Sequence, residues 1–210
     1  MKKLLKVLLV LFFFTSSIHA QIGIKAGINL ANQIKSLSSQ DIAEGLSREN
    51  LTGYQVGLVY QLNPRKSGLG FETGLLLSQK GFSFSDSASI ADNIIRGYHE
   101  INYIELPLNL RYRIKLGFIG IYGYGGLYGG YALNGRHVVE TQNTSADISF
   151  KEMMDRADYG YNLGLGLEFF NKIQFGANWS QGIKNTNLEN DTAENTIRNR
   201  VFSIGLTYLF

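Results

Sequence analysis

The 210-residue sequence contains three histidines, no cysteine and a scatter of acids. Without cysteine there is no thiol nucleophile, thiolate metal site or disulfide. His99 is followed by Glu100, an acid–base or metal pair in miniature, yet no third ligand or orienting group lies at a useful spacing. Ser85, Asp92 and His99 fall in one stretch, but a Ser/His/Asp group is defined by convergence in space, and nothing in the stretch fixes it. His137 lies further along, in a different connection. Asp86, Asp92, Asp155, Asp191 and Glu194 lack the regular ligand spacing of a calcium loop. The glycines at 120, 123, 125, 126, 129 and 130 precede neither a helix nor a Lys-Ser/Thr pair, so they fail as a phosphate cradle. These readings lead us to expect no catalytic residue, cofactor or bound metal.

A different set of charges is better placed. Lys25, Glu72, Glu105, Arg111, Arg113 and Glu168 each sit inside a run where apolar and polar residues alternate. Alternation places them on one face of a strand, opposite a face of Leu, Ile and Tyr. If those faces close on one another, the six charges form an internal ion-pair network, with Glu72 and Arg111 at similar depth on neighbouring strands. On an open sheet they would be weak surface pairs.

Eight such runs are present. Ile22, Ile24, Ala26, Ile28 and Leu30 alternate with Gly23, Lys25, Gly27 and Asn29. Further runs are centred on Val56, Leu75, Leu108, Leu163, Phe175 and Ile204. The fifth in order, from about Phe118 to Leu133, has aromatics on both parities, which leaves its facing open and points to a bulge. Each run approaches or exceeds the roughly 9–11 residues of a tilted transmembrane strand. Pro107 weakens the fourth.

The connections alternate long (about 32–50, 81–97, 134–157 and 185–198) and short (63–66, 115–117 and the turn near Asn171). Aromatics gather towards both ends of the runs. Tyr60, Phe71, Tyr112, Phe118, Phe169, Phe175, Tyr208 and Phe210 mark one rim, and Tyr54, Tyr128, Tyr131, Tyr159, Tyr161, Trp179 and Phe202 the other. Short turns on one side, long loops on the other and two aromatic girdles describe a transmembrane barrel with lipid outside and a polar lumen. We therefore expect an all-β, eight-stranded, antiparallel, up-and-down barrel, with short periplasmic turns, external loops and both termini in the periplasm.

The first twenty residues read as an export signal: Lys2 and Lys3, an apolar run to Phe14, then small and polar residues ending in Ala20. Cleavage between Ala20 and Gln21 would leave residues 21–210 as one barrel domain. It would also remove three of the 20 basic residues and none of the 17 acids, which abolishes the net charge of +3. Nucleic-acid binding loses its electrostatic basis with it. The alternating Ile204, Leu206, Tyr208 and terminal Phe210 read as a C-terminal insertion signal for the barrel-assembly machinery, the expected partner during insertion beside outer-membrane lipid.

The pieces Gly23-Ile24-Lys25-Ala26-Gly27-Ile28-Asn29, Ile104-Glu105-Leu106-Pro107-Leu108-Asn109-Leu110 and Asp158-Tyr159-Gly160-Tyr161-Asn162-Leu163-Gly164-Leu165-Gly166 resemble the PorT-type outer-membrane β-barrel family, as does the C-terminal strand. The resemblance spans nearly the whole chain after the leader and brings no catalytic set. Together with the strand pattern it leads us to expect a non-enzymatic barrel with a filled polar lumen, in the outer membrane of a Gram-negative-type bacterium, with a structural, binding or secretion-associated role through its external loops. Some relatives are linked to protein secretion. Two alternatives stand beside it: an enzyme acting at the outer rim, and a secreted lipocalin-like barrel holding an apolar ligand.

Overall fold

The computed structural model describes residues 18–35, 47–64, 68–86, 95–141, 144–149, 156–184 and 197–210. Ten strands follow in chain order: β1 (Ile18–Lys35), β2 (Ser47–Glu49), β3 (Leu51–Pro64), β4 (Gly68–Asp86), β5 (Ile95–Leu116), β6 (Ile119–Thr141), β7 (Thr144–Ser149), β8 (Ala157–Phe169), β9 (Ile173–Gly182) and β10 (Ile197–Leu209). Eight of them close an antiparallel ring, β1-β3-β4-β5-β6-β8-β9-β10, with β10 paired back onto β1. Short β2 and β7 pair with the far ends of β4 and β6.

The register fixes the shape. One circuit of paired residues runs Ile22, Tyr60, Thr73, Leu108, Leu127, Tyr161, Gln181, Arg200 and returns to β1 at Asn32. The ring thus closes with a stagger of ten residues. Ten residues advance about 33 Å along a strand, while eight strands span about 38 Å across, so the strands tilt by roughly 40°. The backbone cylinder then has a radius near 8 Å, which side chains can fill.

The two faces separate as alternation requires. Ile24, Leu58, Leu108, Leu163, Leu165 and Ile204 point outward and are exposed, whereas Asn29, Gln61, Glu72, Arg111, Glu168 and Gln174 are buried inside. Pro107 interrupts the β4–β5 ladder, whose pairing is absent between Thr73 and Leu76. Thr73, on the outward face, donates its hydroxyl to the Pro107 carbonyl at 2.8 Å, which satisfies a polar group that lipid could not.

The glycine-rich β6 keeps one parity: Gly120, Tyr122, Tyr128 and Ala132 are buried, and Ile121, Leu127, Tyr131 and Leu133 are exposed. The bulge comes only at its outer end, where the register with β5 slips between Asn102 and Tyr103 and leaves Leu133 unpaired. Tyr128 therefore does not belong to the outer girdle. It pairs with inward-facing Pro107, and directly opposed residues share a face.

Two of the short turns show why those connections are short. Gly117 has φ of 67°, the first central position of a two-residue turn that favours glycine. Phe170 and Asn171 both take positive φ (54° and 58°), and Lys172 N–H donates to the Phe169 carbonyl at 3.0 Å. That is the twist of a type I′ hairpin. On the opposite side the strands run beyond the expected boundaries, to Lys35, Asp86 and Thr141, and β5 starts at Ile95. Backbone pairing needs no apolar alternation once both faces leave the membrane, so the sequence period gave no sign of it.

Candidate functional site

The most elaborate chemistry of the chain lies inside the barrel. Towards the short-turn end, β4, β5 and β8 bring Glu72, Arg111, Arg113 and Glu168 together. Arg111 Nη1 lies 3.0 Å from Glu72 Oε2, and Arg111 Nη2 lies 3.5 Å from Glu168 Oε2. Arg113 Nη1 reaches Glu168 Oε1 at 2.8 Å. Gln61 donates to Glu72 at 2.7 Å and Gln174 donates to Glu168 at 2.7 Å, while the two glutamines bond each other across the lumen. The Arg111 guanidinium also stacks 3.9 Å above the Tyr122 ring. A buried ion pair offsets its desolvation cost only when its remaining lone pairs and protons are satisfied, and the glutamines contribute to that here.

A second cluster sits nearer the loop end. Lys80 pairs with Glu105 and lies 2.9 Å from Asp158 Oδ2. Tyr128 and Asn199 donate to the same Asp158 oxygen at 3.2 and 3.0 Å, and the Lys80 ammonium lies 4.3 Å from the Tyr128 ring centroid. The register and tilt put the two clusters roughly 20 Å apart along the barrel axis, each level with one aromatic girdle. Between them runs a neutral chain, in which Tyr124 bonds Asn178, Asn178 bonds Ser180 and Ser180 bonds Asn162. A central cavity of about 20 Å³, enough for about one water, is lined by Lys25, Ser78, Asn109, Asn162 and Ser203 among others.

The six charges read from the sequence thus divide. Four meet in the first cluster, and Glu105 joins the second. Lys25 stands outside both: its ammonium is 5.8 Å from the centroid of the Tyr124 ring, on the wall of the cavity. Its strand places it between the two clusters in height, and among the described residues it makes no ion pair, though Glu105 lines the same cavity. Lys80, Asp158, Gln61, Gln174 and the inward tyrosines were not singled out in advance. For Lys80 and Asp158 strand parity was the available signal, since they share a strand face with Glu72 and Glu168. Within the lumen Lys25, Lys80, Arg111 and Arg113 oppose Glu72, Glu105, Asp158 and Glu168, so the interior charges cancel.

The tyrosines explain the glycines. Tyr122 and Tyr124 lie across the lumen onto β8 and β9, so a Cβ on Gly176 would stand 2.6 Å from the Tyr122 hydroxyl, and one on Gly164 would enter the Tyr124 ring. The lumen is plugged by side chains for which glycine leaves room.

His99 lies on β5, stacked on Phe82 at 5.7 Å between ring centroids. Its register partner on β6 is His137, so the two histidines belong to adjacent strands and not to separate loops. Ser85 is on β4, and its partner on β5 is Arg96. Asp92, Asp155, Asp191 and Glu194 lie outside the described residues, as does the leader before Ile18. The strand pairing itself begins at Ile18. Among the described residues, no three His, Asp or Glu side chains gather as metal ligands, and no helix is long and apolar enough to cross a membrane. An apolar ligand has no chamber here to enter: the small apolar clusters Val59–Leu76–Leu209 and Ile101–Tyr103–Ala132 are packed among buried Arg, Glu, Gln and Asn, which disfavours the lipocalin-like alternative.

Comparison with solved structures agrees with this architecture. The outer membrane protein OprG of Pseudomonas aeruginosa superposes with a TM-score of 0.51 at 14% identity, covering 92% of this chain and 97% of its own. Ail, the attachment invasion locus protein of Yersinia pestis, gives 0.45 at 15% identity over 91% and 99%. Neisserial surface protein A gives 0.45 at 11% over 91% and 99%. At such identities the likeness speaks for the fold, and only at the level of the first. Among curated proteins no relative matches the sequence. Residues 15–187 match the model of the outer membrane protein beta-barrel domain, most of the chain, and with its outward apolar face and closed polar interior the protein belongs to that family of outer-membrane barrels.

Proposed function

We propose that this barrel is a non-enzymatic outer-membrane component whose body is a plugged anchor and whose external connections bind a partner. The filled lumen carries this reading. Two ion-paired clusters and four inward tyrosines, Tyr103, Tyr122, Tyr124 and Tyr128, occupy the interior, and a void of about 20 Å³ is far below what a solute pathway needs. What remains for function is the loop end, where the strands extend beyond the apolar band. In this reading Ala20–Gln21 is cleaved on export, both termini are periplasmic, and the Ile204, Leu206, Tyr208, Phe210 face is read by the assembly machinery. The quoted sequence pieces support a place among PorT-type barrels. A secretion-associated role through the loops fits that place.

The test combines localisation with conductance. The protein should remain in the outer-membrane fraction after carbonate washing, and it should migrate differently on gels before and after boiling in detergent. In planar bilayers the folded barrel should give no steady ohmic conductance. Release by carbonate would remove the membrane reading, and a stable conductance of porin size would remove the plugged anchor. Alanine at both His99 and His137 tests the enzymatic alternative: loss of a cellular phenotype with normal barrel levels would favour it.

A further inference from the structure

The outward face of the barrel changes character over a few residues at the loop end of β8, β9 and β10. The outer girdle here consists of Tyr159, Tyr161, Trp179 and Phe202, with Trp179 paired to Phe202 and in edge contact with Tyr161 at 5.5 Å. One outward position above Phe202 on β10 is Arg200, and the next is Arg198; both are exposed. Arg200 Nε donates to Gln181 Oε1 at 3.2 Å, which steers the guanidinium; among the described residues its two Nη groups have no bonded partner. Arg156, just before β8, is exposed as well, its guanidinium 6.0 Å from the centroid of the outward Tyr131 ring. Two strand spacings, about 10 Å, separate β8 from β10, and Arg156 lies five residues beyond Tyr161, the β8 position level with Arg200, so it marks the far corner of the patch. Among the described residues of β1, β8, β9 and β10, no Asp or Glu side chain faces outward, because Asp158 and Glu168 are both turned into the lumen.

Among the described residues, cations in this row have no protein counter-charge at the height where a bilayer presents its headgroups. Arginine forks match phosphate oxygens in pairs, and the aromatic belt beneath them fixes the depth of the acyl–headgroup boundary. We infer that Arg156, Arg198 and Arg200 form a docking site for the phosphate groups of an outer-leaflet glycolipid, seated against the β8–β10 side of the barrel. The inference rests on the proposed orientation, with the loop end outward. The site itself can be tested without it.

The single tryptophan of the chain, Trp179, lies directly under Arg200 and Gln181 and reports on the site. Purified barrel in neutral detergent micelles would be titrated with diphosphorylated lipid A, with the same lipid stripped of phosphate, and with inorganic phosphate, following Trp179 emission. The diphosphorylated lipid should give a saturable change, with the half-point shifted at least tenfold by R198Q/R200Q. K172Q, at the opposite rim, should titrate as the native protein does. Equal responses to the stripped lipid would overturn the proposal, as would an equal response to inorganic phosphate, the mark of a free-anion site. If the double variant fails the gel-mobility test for folding, the comparison between phosphorylated and stripped lipid decides alone. Orientation is checked separately by surface labelling of whole cells, so its failure cannot be mistaken for failure of the site.

Discussion

At the scale of single residues, Arg111 is the keystone of the interior. It is fully buried and bridges Glu72 and Glu168, so removing it strands Glu72 without a cation in a closed lumen while Glu168 keeps Arg113. Breaking one partner out of a buried pair costs about 3–5 kcal/mol, whereas replacing the whole group with neutral residues is often close to neutral. R111M should therefore lower unfolding stability in urea and lipid vesicles by about that amount, and R111M/E72Q, which removes the stranded carboxylate and keeps the Arg113–Glu168 pair, should recover most of the loss. If R111M alone proves as stable as the native chain, the charges do not hold the lumen together. Asn171 makes a smaller test. Its φ of 58° is tolerated by Asn and Gly and costs other side chains roughly 1–2 kcal/mol. N171A should lose about 1 kcal/mol, measured the same way, while N171G should lose almost nothing.

At the scale of elements, each strand presents a lipid side whose tolerance depends on depth. Leu163 lies near mid-bilayer in the register ladder, and Phe202 lies in the outer girdle. Arginine on the lipid face costs about 2–4 kcal/mol at the midplane and about 0–1 kcal/mol near the interface. L163R should accordingly destabilise several-fold more than F202R in vesicle unfolding. Equal costs would mean that the apolar band is misplaced along the strands. Parity was legible for seven of the eight runs. The eighth, β6, was not, because its inward residues are Tyr122, Tyr124 and Tyr128 and not the Asn, Ser or Glu of the other polar faces. A lumen packed with aromatic rings over glycine reads locally like an outer surface. Only pairing with β5 and β8 fixes which way each tyrosine turns.

For the molecule as a whole, closure decides behaviour. Eight strands with a ten-residue stagger enclose a space that charged and aromatic side chains fill from both ends. The ring has no free edge: even Phe210 N–H donates across the seam to the Ile22 carbonyl at 2.9 Å. A closed ring unfolds as a unit, which is the physical basis of the mobility difference expected before and after boiling. The neutral sum of the interior charges also removes an electrostatic reason for either ion sign to enter, in line with the absence of conductance proposed above.

The sequence by itself determined the class of the fold. Period-two patterning records which side of each ribbon meets lipid, and the spacing of turns records how many ribbons there are. It also placed Glu72, Arg111, Arg113 and Glu168 on the inner face, because parity is a local property. Tertiary structure alone decided the partners. Whether Glu105 meets an arginine or Lys80, whether Lys25 reaches any acid, and whether Tyr128 lies in or out all depend on the shear between strands. Shear is a sum of registers around the ring, and no single segment carries it.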